Sequence, residues 1–287
     1  MQFPILEFFK ELDKTTMRFV SAFQQITEAT NKIAIALNRQ INSEQLQESL
    51  KKIGQGLIET EKDLIVFKYA MVELGYPPHD GLSIQQMRNI AQNYSSDSSE
   101  VMGYINDFMT EFYSPEEMKQ LLFKWEKSQI IKKRLPLLRN AVMAHNLGMY
   151  DLVVPSILSQ FEGYLVDLFG IKGRVDGKIL KILLKYLLLQ NMDFESSFRF
   201  DDAIHKYYSE QILENFEHGK IMKYDISRHA ILHGANTDFG KQTTSLKVLL
   251  LFDFLHGVAE ELTKESISEA KKEIQEHRRR GNNRKRR

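Results

Sequence analysis

The chain has no cysteine, only six prolines, fifteen glycines and a single tryptophan in 287 residues. The missing cysteines remove disulfides, thiolate nucleophiles and cysteine-ligated zinc in one step, and they fit a reducing compartment such as the cytoplasm. So few helix breakers over this length favour long helices over a turn-rich sheet. Continuous apolar runs are also scarce. The two most apolar stretches, 179–189 and 246–255, fall short of the roughly 20 residues that cross a bilayer. Residues 1–10 lack a basic segment followed by an apolar core, so no signal peptide and no membrane association are expected. Excess charge is missing too, because 39 basic residues balance 38 acidic ones. That balance is uneven along the chain. Seven of the basic residues sit in 277–287, leaving 32 against 38 and a net charge of about −6 for the rest.

What is present is helical periodicity. Phe3, Ile5, Leu6, Phe8, Phe9, Leu12, Met17, Phe19, Val20, Phe23 and Ile26 recur at helical spacing and predict one helix over 3–38, its aromatic stripe a core or partner face. A second helix is predicted over 43–75, paired antiparallel with the first across a short loop. Tyr76-Pro77-Pro78 ends it. Shorter helices follow over 82–93 and 98–113, and one starts at Ser114-Pro115-Glu116-Glu117 with a serine cap and a first-turn proline. Further helices are predicted over 128–146, 152–169, 176–190, 201–216, 227–233 and 245–274. No segment alternates with period two, so the fold class is all-α. The expected domains are an N-terminal long-helix bundle (1–127) that senses, binds a regulatory partner or extends a dimer, and a second helical domain (128–274). A basic tail (275–287) is too charged to fold alone.

One short segment carries chemistry. Arg228 is followed by the polar His229, three further residues, and His233. Arginine stays charged and offers a fork of donors to phosphate oxygens. Histidine titrates near neutrality and serves as base or acid. Cleaving RNA without a metal needs such a set: a base for the 2′-hydroxyl, an acid for the leaving 5′-oxygen and a cation at the phosphate. On a helix, positions 228 and 233 lie about 140° apart and are only loosely cofacial; a two-fold interface could still bring two such pairs to one cleft.

This arrangement resembles the signature of the HEPN superfamily: arginine, a polar residue, three or four residues, then histidine. The resemblance covers about 150–265, roughly 40% of the chain. It implies a helical bundle that homodimerises, two motif copies forming one metal-independent endoribonuclease site, and cleavage to a 2′,3′-cyclic phosphate and a 5′-hydroxyl. Many relatives act in phage defence or as toxins. The HEPN toxins paired with nucleotidyltransferase antitoxins carry a tyrosine two residues after the histidine. Ala235 stands there in this chain, so that partnership is not inferred. No metal or cofactor is expected, and RNA is the expected partner. The alternative reading is a non-catalytic HEPN-like module that binds RNA or protein.

Other residues take secondary places. Glu162, an acid on an otherwise apolar predicted helix, is expected to orient Arg228 or His229 or else to form a structural ion pair. Asn236 and Asp238 follow the motif, and such residues touch a ligand or simply turn the chain. Arg139-Asn140 followed by His145 is a second formal match, ranked lower because its place before the 150–169 segment does not suit the family order. His145, Asn146 and Tyr150 either face the same cleft or, as the preferred reading, form a helix end and a packed aromatic. The tail residues Arg278, Arg279, Arg280, Arg284, Lys285, Arg286 and Arg287 are expected to gather RNA through salt-sensitive phosphate contacts.

Overall fold

In the computed structural model, residues 43–77, 81–188, 204–205, 207–213 and 226–285 are described. Every regular element among them is helical, so the protein is all-α. The helix expected over 3–38 and its pairing with the next helix lie outside the described residues.

Local signals account for the first helices. α1 spans Ser43–Glu73 and stops before Gly75, which adopts a left-handed φ of 80°. α2 (Ile84–Ser96) starts with a reciprocal capping box between Ser83 and Gln86. Asp97 ends α2 and caps α3 (Ser98–Phe112) by accepting from the backbone of Ser99 and Glu100. α4 (Pro115–Glu126) opens as its sequence predicts, with the Ser114 hydroxyl accepting from Glu117 N.

Two predicted helices divide. The segment expected as one helix over 128–146 makes a turn and a single 3-10 turn at Lys132–Arg134 before α5 (Leu135–Asn146). Pro136 favours a new helix start at that point and disfavours continuation from the preceding turn. The long final helix expected over 245–274 is α9 (Gln242–Ala259) followed by α10 (Lys264–Lys285), preceded in turn by α6 (Tyr150–Phe169), α7 (Gly177–Leu188) and α8 (Arg228–Leu232). Thr263 accepts from Ser266 N at 3.1 Å, and this cap restarts the chain as α10. Of the helix expected over 201–216, the described part includes a π-helical turn at Tyr207–Ile212.

α10 also corrects the tail. Residues expected to be disordered from 275 onward continue the helix to Lys285. Composition alone misses what holds them. Ala270 and Ile274 are buried, His277 Nε2 lies 3.3 Å from Asp176 Oδ2, and Arg278 donates to the carbonyls of Lys172 and Arg174 at 3.0 and 2.8 Å. Arg286 and Arg287 lie outside the described residues.

α6 and α9 form the centre. α6 packs against α5, α7, α8, α9 and α10, while α9 also meets α3, α5 and α7. α9 is buried nearly all round, through Leu246, Val248, Leu249, Leu250, Leu251, Phe252 and Leu255. Trp125 of α4 is fully buried against Phe252, with its Nε1 donating to Asp253 Oδ1 at 2.7 Å. Burying an aromatic of this size stabilises by about 4–6 kcal/mol. Lys124 Nζ, 3.5 Å from the other Asp253 oxygen, adds a countercharge to an acid that lies among leucines. One cluster of buried residues runs from Phe67 to Ile274, and the expected boundary at 127/128 falls inside it. α6 is the one described helix long and apolar enough to cross a membrane by length and composition. Val153, Val154, Ile157, Leu158, Phe161, Tyr164, Leu165 and Phe169 on it are buried against neighbouring helices.

Candidate functional site

The Arg228–Leu232 helix is short, and both ends are closed by side chain and backbone. Ser227 accepts from Ala230 N at 3.3 Å. At the other end Gly234 adopts a left-handed φ of 73°, with Gly234 N bonded to Ile231 O and Ala235 N to Ala230 O. That pair of bonds is a Schellman closure, which holds His233 as the C-cap residue. The chain from Arg228 to Gly240 then runs back along α6. It begins beside Glu162 and Leu158 and ends where a Cβ on Gly240 would lie 3.3 Å from Asp151. Phe239 packs on the core and pins the loop.

Arg228 is anchored in two directions. Its Nη2 donates to Glu162 Oε2 at 2.7 Å and its Nε to Leu158 O at 3.3 Å. The guanidinium side chain is 13% exposed and the Glu162 carboxylate 34%. Two of the roughly five guanidinium N–H donors are thus engaged, and the planar group is oriented rather than free to swing. His229 and His233 sit one helical turn apart, their rings nearly parallel at 10° and 6.2 Å between centroids. His233 is exposed and His229 half-buried. Burial holds His229 below the usual histidine range; the neighbouring Arg228 and His233 push it the same way, and Glu162 opposes them. All four predicted residues therefore share one electrostatic neighbourhood. It contains a fixed cation, an imidazole whose charged form burial disfavours and a second imidazole at the surface. These groups can position a phosphate and move protons.

The loop residues serve the turn. Asn236 Oδ1 accepts from Asp238 N at 2.9 Å, and Asp238 pairs with Lys241 at 2.7 Å on the exposed side. The second formal match separates: Arg139 is exposed and bonded to Glu126 at 2.7 Å, whereas His145 is 4% exposed with Nδ1 2.7 Å from Ser245 Oγ. Tyr150 meets the His145 ring edge-on at 5.4 Å. Arg278, Arg279 and Arg280 lie on α10, which packs on α7 and, more lightly, on α6, whereas the Arg228 helix packs on α6. No cluster of three metal-ligating side chains occurs among the described residues.

Two features escape a linear reading, and a third has a local signal. Leu158 contributes its backbone carbonyl, which no residue-type argument detects. Ser227 was legible as a cap one residue ahead of Arg228. Leu147, Met149, Leu152 and Leu232 are large apolar side chains left exposed, and the sequence does not separate them from the buried apolar residues beside them. No protein-family model, curated protein or solved structure matches this chain.

Proposed function

We propose that the protein is a metal-independent endoribonuclease of HEPN type, working as a homodimer in host defence or a toxin-like system. The observation that carries this reading is the cluster itself: Arg228, fixed by Glu162 at 2.7 Å, beside His229 and His233 with ring centroids 6.2 Å apart. Arg228 neutralises the scissile phosphate. His229, held toward its neutral form, takes the proton of the attacking 2′-hydroxyl. His233 then protonates the departing 5′-oxygen. The bond from the 2′-oxygen to phosphorus forms as the bond to the 5′-oxygen breaks, leaving a cyclic phosphate. Leu147, Met149, Leu152 and Leu232 are exposed apolar side chains that a second copy would cover. The helices before 127 would carry the trigger or a regulatory partner.

The test is incubation of tRNA or ribosomal RNA with purified protein in EDTA, with product ends analysed for cyclic phosphate. Wild type should cleave, while Arg228→Ala and His233→Ala should not. Equal cleavage by all three sinks the proposal. One observation favours the alternative of a non-catalytic RNA- or protein-binding module: Arg228 is largely buried and committed to Glu162 and Leu158. Such a module would shift RNA on a gel without product, and Arg228→Ala would act through stability.

A further inference from the structure

Far along the chain from the motif, α10 and the loop between α6 and α7 build a second charged feature. Residues 170–176 lie across α10. A Cβ on Gly170 would stand 3.6 Å from Lys271 Nζ, and Arg278 reaches the carbonyls of Lys172 and Arg174. Arg278 therefore works as a clasp, fixing a loop that displays Lys172 and Arg174 beside a helix that displays Lys271, Arg279 and Arg280. All five of these side chains are exposed. The acids close to them are already engaged: Asp176 pairs with His277 at 3.3 Å, and Glu276 lies 3.6 Å from Arg280. Farther up the same seam, Lys185 meets Glu273 at 3.1 Å. Among the described residues of this seam, positive charge is thus in excess at the end where Arg278 closes the loop.

We propose that this end is a platform for the phosphate backbone of single-stranded RNA, which recruits substrate away from the cleavage cluster; as to RNA being the substrate, it rests on the ribonuclease reading above. Spaced, exposed cations on two rigid elements suit a polyanion with regular charge spacing. A membrane surface is less well matched. Among the described residues, no large apolar side chain is exposed on 170–176 or α10, and the apolar residues of α10 face the core. A helix lying on lipid needs an apolar face to insert.

The experiment uses the full chain and a short 2′-O-methylated single-stranded RNA, which cannot be cleaved through its 2′-oxygen. Binding is followed by fluorescence anisotropy across about 50–200 mM salt. Two charge-reversal pairs are compared, Lys172→Glu with Arg174→Glu and Arg279→Glu with Arg280→Glu, with helicity by circular dichroism as the folding control. Each pair should weaken binding about tenfold or more and reduce the slope of log affinity against log salt by roughly 0.7 per lost phosphate contact. Unchanged affinity and slope in both well-folded pairs would overturn the platform. So would binding of the wild type to phosphatidylserine vesicles but not to RNA. The two readings fail separately. If wild type cleaves nothing while both pairs lose RNA binding, the nuclease reading falls and the platform stands. If cleavage at subsaturating RNA is the same in wild type and both pairs, the platform falls and the nuclease stands.

Discussion

His145 should make the protein acid-labile in a way a single substitution removes. The imidazole is 4% exposed, has Nδ1 2.7 Å from Ser245 Oγ, and stands edge-on to Tyr150. Burial disfavours its charged form and lowers its pKa from 6.5 to about 4. In the unfolded chain the same residue takes up a proton near 6.5. Between these two values the unfolded state binds more protons than the folded one, so stability falls as pH falls. The stabilisation is fully present above the unfolded value and is withdrawn on the way down to about pH 4. At about 1.4 kcal/mol for each pH unit of difference, His145 alone withdraws about 3 kcal/mol, a large share of a typical folding free energy.

His145→Asn keeps a polar atom near the Nδ1 position and cannot titrate in this range. It should be less stable than wild type at neutral pH, because it packs less volume against Tyr150. The informative quantity is the gap between the two proteins. Urea unfolding followed by circular dichroism, repeated from about pH 7 to pH 4, should show that gap shrinking by about 3 kcal/mol. All other titrating groups, including His229 and His256, which burial also shifts downward, cancel in the difference. A gap independent of pH would refute the reasoning, because His145 would then bind its proton as readily in the folded state as in the unfolded one.

Four further outcomes are expected. Glu162→Ala removes a charge-assisted bond to a largely buried guanidinium; with Glu162 a third exposed, the loss should be about 1–2 kcal/mol, seen as a lower Tm, and RNA cleavage should fall with it. Because His229 is held below the usual histidine range, cleavage should persist as pH falls through 6.5 and decline only at lower pH, which a pH–rate profile reads directly. Gly163→Ala would place a Cβ 2.9 Å from Arg134 Nη2 and disturb the 2.8 Å pair with Asp167, so thermal melting should show destabilisation despite the better helix former; Gly257→Ala, with nothing within 4 Å, should instead stabilise by about 0.5–1 kcal/mol. Gly234→Ala forces a side chain into a left-handed φ of 73°, costing about 1–2 kcal/mol and loosening His233, so cleavage should drop more than melting temperature.

The fold class was legible because apolar spacing and caps are local signals. Ser114 with Pro115 predicted α4, and Gly234 predicted the stop after His233, each through a residue that satisfies a helix end. The errors sit where tertiary contacts override composition. Residues 275–285 read as a solvated tail, since nothing in their own run of charges can pay for ordering. Their anchors come from elsewhere: Asp176, and the carbonyls of Lys172 and Arg174, about a hundred residues earlier. Likewise, Trp125 and Asp253 meet across 128 residues of chain, so a boundary drawn from helix breaks alone falls inside a shared core.

The candidate site was legible as a pattern but not as a choice. Arg139 with His145 and Arg228 with His233 have the same residue types at nearly the same spacing. Three-dimensional surroundings part them. In the first pair the arginine points outward to Glu126, while the histidine is sealed against Ser245 and held neutral far into the acid range, where it can neither reach a substrate nor exchange protons near neutral pH. In the second pair the order is inverted. The arginine is drawn inward by Glu162, and the histidine stands at the surface beside a second imidazole. An oriented cation beside one exposed and one half-buried imidazole is an arrangement that suits phosphate chemistry, because the anion must approach from solvent. Fixing the guanidinium beforehand also avoids the entropy cost of ordering it at the moment of reaction. The same commitment to Glu162 limits how many donors Arg228 can turn toward a phosphate. Arg228→Lys is therefore the sharpest discriminator: lysine can keep a charge beside Glu162 but loses the fork. A catalytic Arg228 predicts a stable variant that does not cleave, and a merely structural one predicts a stable variant that cleaves as wild type does.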